Sequence, residues 1–234
     1  MTRAILILKH GPTVPAGHLA DVLLESGAAL ERREVWDGDP VPDHTDWTAV
    51  VSLGGRMGAY QEDEHPWLAE EKRFLAAAVR AGVPVLGICL GCQLLAEALG
   101  GRAYRGPLPE VGMLDVTLTP AGLGDPVLRH LDRPVPVWHG DTFDPPPGAD
   151  LLAATDRYRH AFRLGRALGI QAHPEATPYI VARWIAGHEG DDFERTGVDP
   201  ATFLAAVSRA AATQREMAQR LFRAWLAGID ASRI

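Results

Sequence analysis

The sequence predicts an α/β protein with an open, mostly parallel central sheet, helices on both faces and a small antiparallel β addition. In the first hundred residues, short apolar runs alternate with stretches of helical periodicity, which is typical of strands joined by helical crossovers. The run at 83–88 is short and apolar, as in a strand buried on both faces of a parallel sheet. From about residue 101 to residue 171, short segments separated by proline and glycine favour antiparallel strands and loops.

The first half of the chain is expected to repeat the order strand, loop and helix. Three strands are predicted, at 4–8, 47–53 and 83–88. Helical spacing of apolar residues follows each strand: up to Gly27, over 74–79, and from Leu90 to the stop at Gly100-Gly101. This alternation is the basis for the parallel part of the sheet.

The second half combines short strands with two closing helices. Strands are predicted around 113–119, 135–138, 151–154 and 167–171. Thr177-Pro178 and Asp199-Pro200 each place a capping side chain before a proline at the first helical position. The second helix, over about 199–230, carries an apolar stripe that could bind a partner, but we expect it to pack on the core of the protein itself.

Composition and charge exclude several classes of protein. With 234 residues and 47% hydrophobic content the chain can form one substantial core, so a single domain over 1–234 is expected. A net charge of -7 without a long basic run argues against nucleic acid or an anionic membrane surface as the partner. No apolar segment approaches the length of a membrane span, and no signal-peptide pattern is present, so we expect a cytoplasmic protein with a small-molecule substrate.

The segment Gly87-x-Cys89-x-Gly91 joins a predicted strand to a predicted helix. This spacing is similar to the G-x-S-x-G nucleophile elbow, with sulfur in place of oxygen. Small neighbours permit a strained turn that exposes the cysteine side chain. The free N–H groups and dipole of the helix stabilise negative charge there, and the thiolate is the reactive form of cysteine.

A cysteine nucleophile needs a base, and the base needs a group that orients it. His173 falls at the end of the predicted strand 168–172, the edge at which open α/β sheets place their sites. Glu175 lies two residues further and could reach back to the imidazole. Taken alone, such a triplet is more often a surface turn with a solvated glutamate, and it is the elbow that favours a site here.

Two glycines, Gly54 and Gly55, follow the strand at 47–53. Such a pair allows backbone N–H groups to point into a site, as an oxyanion hole requires. Taken alone, the pair could also be an ordinary glycine-rich turn.

Four motifs occur together in order: GGRMGAYQEDEHPWL, GICLGCQLLAEALGG, VWHGDTF and QAHPEA. Their combination resembles the class I (triad-type) glutamine amidotransferases, and more narrowly the stand-alone proteins similar to the amidotransferase domain of GMP synthase. The resemblance extends from about residue 49 to residue 175. It implies the flavodoxin-like fold of that family.

The resemblance also implies the roles of particular residues. Cys89, His173 and Glu175 would form a triad that hydrolyses the side-chain amide of glutamine through a γ-glutamyl thioester. Backbone N–H groups of Gly55 and Leu90 would form the oxyanion hole. Residues that would bind the substrate are Gly54, Gln93, Trp138 and His139. Neither a cofactor nor a metal is implied.

Two features leave the reaction open. Arg56 stands where the family often has proline after the two glycines, so a difference is expected in the shape of the oxyanion loop or in the chemistry of the group that it admits. No ATP-pyrophosphatase motif occurs in the 234 residues, so released ammonia would need a synthetase subunit in trans. The alternative is a hydrolase of γ-glutamyl amines or peptides.

A redox protein is the competing class, because Cys89-Leu90-Gly91-Cys92 is a C-x-x-C motif between a strand and a helix. That hypothesis leaves the flanking glycines and His173 unexplained, so Cys92 is interpreted as a packing residue. Zinc is not expected, because no histidine pair stands at ligand spacing from the cysteines. Surface or locally hydrogen-bonded positions are expected for His10, His18, His65, His130, His160 and His188.

Overall fold

The computed structural model describes residues 4–229. Within them ten strands are present: β1 (Ile5–His10), β2 (Leu30–Glu34), β3 (Ala49–Gly55), β4 (Val85–Ile88), β5 (Arg102–Leu114), β6 (Thr117–Leu118), β7 (Val135–Asp144), β8 (Asp150–Ala154), β9 (Arg159–Leu164) and β10 (Ala167–Ile170). The α-helices are α1 (Gly17–Glu25), α2 (Trp67–Arg80), α3 (Leu90–Ala98), α4 (Pro120–Gly124), α5 (Pro178–Ala186), α6 (Asp192–Thr196) and α7 (Pro200–Ala227).

Eight strands form one sheet in the order β2-β1-β3-β4-β10-β9-β8-β6. The first five in this order run parallel to one another, and β9, β8 and β6 continue the sheet with antiparallel pairing. Strands β5 and β7 form a separate antiparallel sheet. The predicted fold class, a mostly parallel sheet with a small antiparallel addition, is therefore confirmed.

Successive side chains of each strand point to opposite faces of the central sheet. Apolar side chains therefore lie on both faces, and helices cover both. Ile5 and Ile7 of β1 face a core that includes residues of α1 and α7. Leu6 and Leu8 face the opposite core, which includes residues of α2 and α3. Strand β4 is buried along its whole length, as its apolar sequence predicts.

The two closing helices begin at the predicted cap residues. The side chain of Thr177 accepts a hydrogen bond from the N–H of Ile180, and the side chain of Asp199 accepts one from the N–H of Thr202. Helix α7 packs against α1 and buries Leu221 completely, so its apolar stripe is part of the core of this chain. None of the helices within 4–229 is long and apolar enough to cross a membrane.

Several elements differ from the sequence-based expectation. Strand β2 was not predicted, because its sequence LERRE has no apolar alternation and it lies at the edge of the sheet. Strand β9 and the short helices α4 and α6 were also not predicted. Residues 1–3 and 230–234 lie outside the described residues, and the extent of a single domain over 1–234 stays a prediction.

Candidate active site

Cys89 occupies the sharp turn between β4 and α3. Its backbone has φ 51° and ψ -106°, and it is the only non-glycine residue within 4–229 with positive φ. A side chain in this region of φ/ψ space is strained, and such strain persists only where the surroundings impose it. The turn holds the thiol at the N-terminus of α3, as the elbow pattern predicts.

The glycines of the elbow are required by close packing. A Cβ atom on Gly91 would overlap the carbonyl group of Ser52 in β3. A Cβ atom on Gly87 would overlap the carbonyl of Gly91 itself. The turn therefore brings α3 against the neighbouring strand more closely than any larger residue allows.

His173 and Glu175 follow β10, the strand beside β4. The Nδ1 atom of His173 lies 2.7 Å from Oε1 of Glu175, and both side chains are buried. The imidazole also lies next to the side chain of Cys89, since both side chains approach Gly54. Burial by itself would lower the pKa of His173, but the charges and hydrogen bonds of Glu175 and Cys89 raise it well above its ordinary value. The protonated ring is thus stabilised next to the thiol.

The Gly54-Gly55 loop lies against this group. A Cβ atom on Gly54 would come within 3.3 Å of Cε1 of His173 and 3.6 Å of Cβ of Cys89. Leu90, the second residue predicted for the oxyanion hole, is the first residue of α3. The structure therefore brings all five predicted catalytic and oxyanion-hole residues together.

A buried hydrogen-bond network supports the loop from β1. The Nδ1 atom of His10 donates to the carbonyl oxygens of Leu53 at 2.9 Å and Gly54 at 3.2 Å. Its Nε2 atom lies 2.9 Å from Oε2 of Glu71, whose Oε1 accepts from the hydroxyl of Ser52 at 2.6 Å. Burial would lower the pKa of His10, but Glu71 and the two carbonyl groups raise it. Nδ1 faces two carbonyl oxygens and Nε2 lies at hydrogen-bond distance from a carboxylate, an arrangement that favours the protonated ring.

The expectation of surface or locally bonded positions is wrong for two histidines. His10 and His160 are 2% and 1% exposed, and each bonds a glutamate distant in sequence, Glu71 and Glu110 respectively. His18 is also buried, but its ionic contact is local, with Asp21 three residues further along at 3.9 Å.

A cavity of about 300 Å³ opens beside Cys89. Six of the predicted site residues line it: Gly55, Cys89, Gln93, Trp138, His139 and His173. Gly54, Leu90 and Glu175 are not part of the lining. The volume is at the low end for small-molecule sites, which suits a substrate of amino-acid size.

Of the residues predicted to bind substrate, Gln93, Trp138 and His139 have side chains that donate hydrogen bonds, and each donates to another group of the protein. Gln93 donates from Nε2 to the carbonyl oxygen of Asp141 at 3.2 Å, and His139 donates from Nδ1 to the same oxygen at 2.8 Å. Trp138 donates from Nε1 to Oδ2 of Asp192 at 3.0 Å. These contacts indicate that the side chains shape the wall of the cavity.

Other residues of the cavity wall were not predicted as site residues. The ring of Trp184 in α5 lies 4.6 Å from that of His173, and its Nε1 donates to the carbonyl oxygen of Thr13. Arg56 and Arg183 line the cavity with side chains that form no hydrogen bond or ion pair within residues 4–229. Trp184 had a helical apolar spacing that indicated only packing, and Arg183 carried no sequence signal.

Cys92 lies within α3 and is completely buried. Burial, with a smaller effect from Cys89, raises the pKa of its thiol well above the ordinary value. A buried thiol with a raised pKa is a poor partner for thiol–disulfide exchange. The structure therefore favours packing as the role of Cys92.

Comparisons with known proteins agree with this geometry. The family model for glutamine amidotransferase class-I matches residues 44–180. A glutamine amidotransferase-like protein of Salmonella typhimurium is 32% identical over 161 residues, which cover 65% of this chain and 67% of the relative. A glutamine-hydrolysing GMP synthase of Aeropyrum pernix is 40% identical over 148 residues, but these cover 59% of this chain and only 27% of that protein.

Solved structures show the same fold over nearly the whole chain. A glutamine amidotransferase of Thermotoga maritima has a TM-score of 0.85 at 29% identity and covers 96% of this chain and 99% of its own. A glutamine amidotransferase of Methylobacillus flagellatus has a TM-score of 0.87 at 26% identity, covering 98% and 96%. The family match, the elbow and the residues around it lead to one conclusion: this chain belongs to the class-I glutamine amidotransferase family.

Proposed function

We propose that this protein hydrolyses the side-chain amide of glutamine through a thioester on Cys89. The observation that carries the proposal is the position of Cys89, which is held on a strained elbow next to the imidazole of His173, whose Nδ1 atom bonds Glu175. This is the nucleophile, base and orienting group of a triad. The sulfur attacks the amide carbon, and the carbonyl oxygen becomes an oxyanion.

The backbone of Gly55 and Leu90 stabilises that oxyanion. Leu90 is the first residue of α3, where helix N–H groups have no partner within the helix. The carbonyl of Gly54 is held by His10, and a trans peptide points its N–H and C=O in opposite directions. The N–H of Gly55 therefore points away from the ring of His10, and Gly55 lines the cavity.

His173 transfers the protons. It donates a proton to the amide nitrogen as the carbon–nitrogen bond breaks, and ammonia leaves. It then removes a proton from water, which attacks the thioester carbon, so that the carbon–sulfur bond breaks and glutamate is released. The raised pKa of His173 keeps the donor form available at neutral pH.

Charged groups at the cavity suit the amino-acid head of glutamine. Arg56 and Arg183 provide positive charge for an α-carboxylate, and Asp141 and Asp192 provide negative charge for an ammonium group. The volume of about 300 Å³ favours a free amino acid over a peptide.

We further propose that the ammonia serves a synthetase in trans. The alignment covers 27% of the Aeropyrum pernix GMP synthase, but 71% of a relative from Sulfurisphaera tokodaii that is named as one separate subunit of such a synthase. Similarity to a separate subunit is consistent with a nitrogen acceptor on another protein.

A hydrolase of γ-glutamyl amines is the second candidate. The rings of Trp138 and Trp184 lie 6.4 Å apart on the cavity wall, next to His188. Such an apolar wall could contact the alkyl part of an amine leaving group. Chemistry at Cys89 would be the same, with an amine leaving in place of ammonia.

Glutamate release from glutamine and from a panel of γ-glutamyl amines and peptides tests these proposals. Activity should disappear in Cys89→Ala and remain near normal in Cys92→Ser. Efficient hydrolysis of one amine conjugate would favour the second candidate, whereas weak turnover of glutamine alone would favour a missing synthetase. A glutamine-like chloroketone should label Cys89, and folded protein whose Cys89 is not labelled would contradict both.

A further inference from the structure

Three buried side chains meet behind the wall of the cavity. Glu110 belongs to β5, His139 to β7 and His160 to β9, and their side chains are 7%, 2% and 1% exposed. One ligand atom of each lies within 4.8 Å of the others. Oε2 of Glu110 is 2.8 Å from Nε2 of His160 and 3.4 Å from Nε2 of His139.

The hydrogen bonds of His139 determine which of its nitrogens carries a proton. Nδ1 lies 2.8 Å from the carbonyl oxygen of Asp141, and a carbonyl oxygen can only accept. Nδ1 is therefore the donor, and in the neutral ring Nε2 carries a lone pair. Within residues 4–229 that Nε2 is buried and lies 3.4 Å from a carboxylate oxygen of Glu110, without the geometry of a hydrogen bond. A lone pair and a carboxylate oxygen repel each other unless a cation lies between them.

The side chain of Glu110, like that of His139, is held by a hydrogen bond on the side away from the cluster. Its Oε1 accepts a hydrogen bond from the hydroxyl of Thr155 at 2.8 Å, while Oε2 faces both histidines. Metal-binding carboxylates and imidazoles are typically held by such outer hydrogen bonds, which direct the remaining atom to the ion. Glu110 and His139 both have this outer support, from Thr155 and from the carbonyl of Asp141.

We propose that Glu110, His139 and His160 bind a divalent transition-metal ion, for which Zn²⁺ is the reference. Two imidazoles and one carboxylate are a common donor set for zinc. Ligands about 2.0 Å from a tetrahedral ion lie roughly 3.3 Å apart, close to the 3.4 Å between Glu110 and His139. Glu110 and His160, which are 2.8 Å apart in a hydrogen bond, would have to separate by about 0.5 Å to admit the ion. A water molecule would complete the coordination.

The ion would connect the two sheets. Strands β5 and β7 form the small sheet, whereas β9 belongs to the main sheet. His139 also lines the cavity beside Trp138. The role is therefore structural: the ion would hold the substrate-facing wall of the small sheet against the main sheet.

Titration of Cys89→Ala protein with ZnCl₂ by calorimetry, and with CoCl₂ by absorption spectroscopy, tests the site without the reactive thiol. We expect a single equivalent of each metal to bind, and bound Co²⁺ to show d–d bands without intense sulfur-to-cobalt charge transfer. In the same background, His160→Gln and Glu110→Gln should weaken binding by at least roughly tenfold. His44→Gln, at an exposed histidine, should not change it.

Thr155→Val keeps all three ligands and removes the outer hydrogen bond to Glu110, together with the bonds that the Thr155 hydroxyl accepts from the N–H groups of Arg157 and Tyr158. It tests the site if the ligand variants fail to fold. It should weaken metal binding by about 10–100-fold. Absence of stoichiometric binding to Cys89→Ala, or equal binding by the folded ligand variants, would overturn the proposal. So would nitrogen NMR that shows a proton on Nε2 of His139 in the presence of excess Zn²⁺.

Discussion

His10 donates a hydrogen bond from Nδ1 to the carbonyl oxygen of Gly54 at 3.2 Å, and this contact connects the end of β1 to the proposed oxyanion loop. The other ring nitrogen bonds Glu71, whose side chain is completely buried. His10 does not line the cavity, so it is a positioning residue for the peptide between Gly54 and Gly55.

Replacing His10 with glutamine should lower kcat for glutamine hydrolysis by about tenfold with little change in KM. Loss of an oxyanion donor costs roughly 10²–10³ in kcat, and a donor that is misoriented but present should cost less. The measurement is steady-state kinetics on folded protein, with His44→Gln as the control. An unchanged kcat would show that the loop keeps its orientation without His10.

The interaction between His10 and Glu71 should make the free energy of unfolding decrease as pH rises. Because the folded-state pKa of His10 is raised above 6.5, its contribution is complete below the unfolded pKa and is lost as pH rises through the folded pKa. His173 contributes with the same sign, so the comparison must be made between variants. The difference in unfolding free energy between pH 6 and pH 9 should be larger for the parent protein than for the neutral double variant His10→Gln/Glu71→Gln. Equal differences would contradict an imidazolium at His10.

Glu175→Gln should lower kcat by roughly 10²–10⁴ while KM changes little, because the amide favours the wrong tautomer of His173 and no longer stabilises its charged form. The pKa of His173 should fall at the same time, and NMR titration of the ring measures it. A normal rate in this variant would contradict the orienting role of Glu175. Glu189→Gln, at an exposed glutamate, is the matched control.

Arg56→Ala and Arg183→Ala should each raise KM for glutamine by about three- to tenfold with little change in kcat. Both side chains are exposed, so the loss of attraction for the α-carboxylate is about 1 kcal/mol. Kinetics with glutamine, and with a glutamine derivative whose α-carboxylate is amidated, separates charge recognition from other effects. An equal loss for both substrates would show that these arginines do not bind the carboxylate.

Gly91→Ala should destabilise the protein by about 3 kcal/mol or more, because the added methyl group overlaps the carbonyl of Ser52. Gly124→Ala is the matched control, since a Cβ atom there meets nothing within 4 Å and the change should stay within about 0.5 kcal/mol. Urea denaturation measures both. Similar stabilities would mean that the elbow can shift to accept a side chain.

Local sequence patterns were enough to predict much of the fold and part of the candidate site. The apolar run before Cys89, the glycines on each side of it and the short spacing from His173 to Glu175 are all readable along the chain, because each depends on neighbours within a few residues. They were sufficient to predict the fold class and the positions of Cys89, His173 and Glu175, but not the cavity-wall residues Arg56, Arg183 and Trp184. Strand β2 escaped prediction because an edge strand can tolerate charged residues on its exposed positions.

Tertiary structure alone decided which distant polar groups become partners. His10 meets Glu71 across 61 residues, and His160 meets Glu110 across 50 residues, with no periodic signal to relate them. Sheet order produces these pairs, because parallel crossovers and the small sheet bring remote strand ends together. The sequence by itself determined where the proposed nucleophile and its proposed base lie. The fold determined what supports the loop and the wall around them, because burial removes water as a partner and each polar group must then find one in the protein.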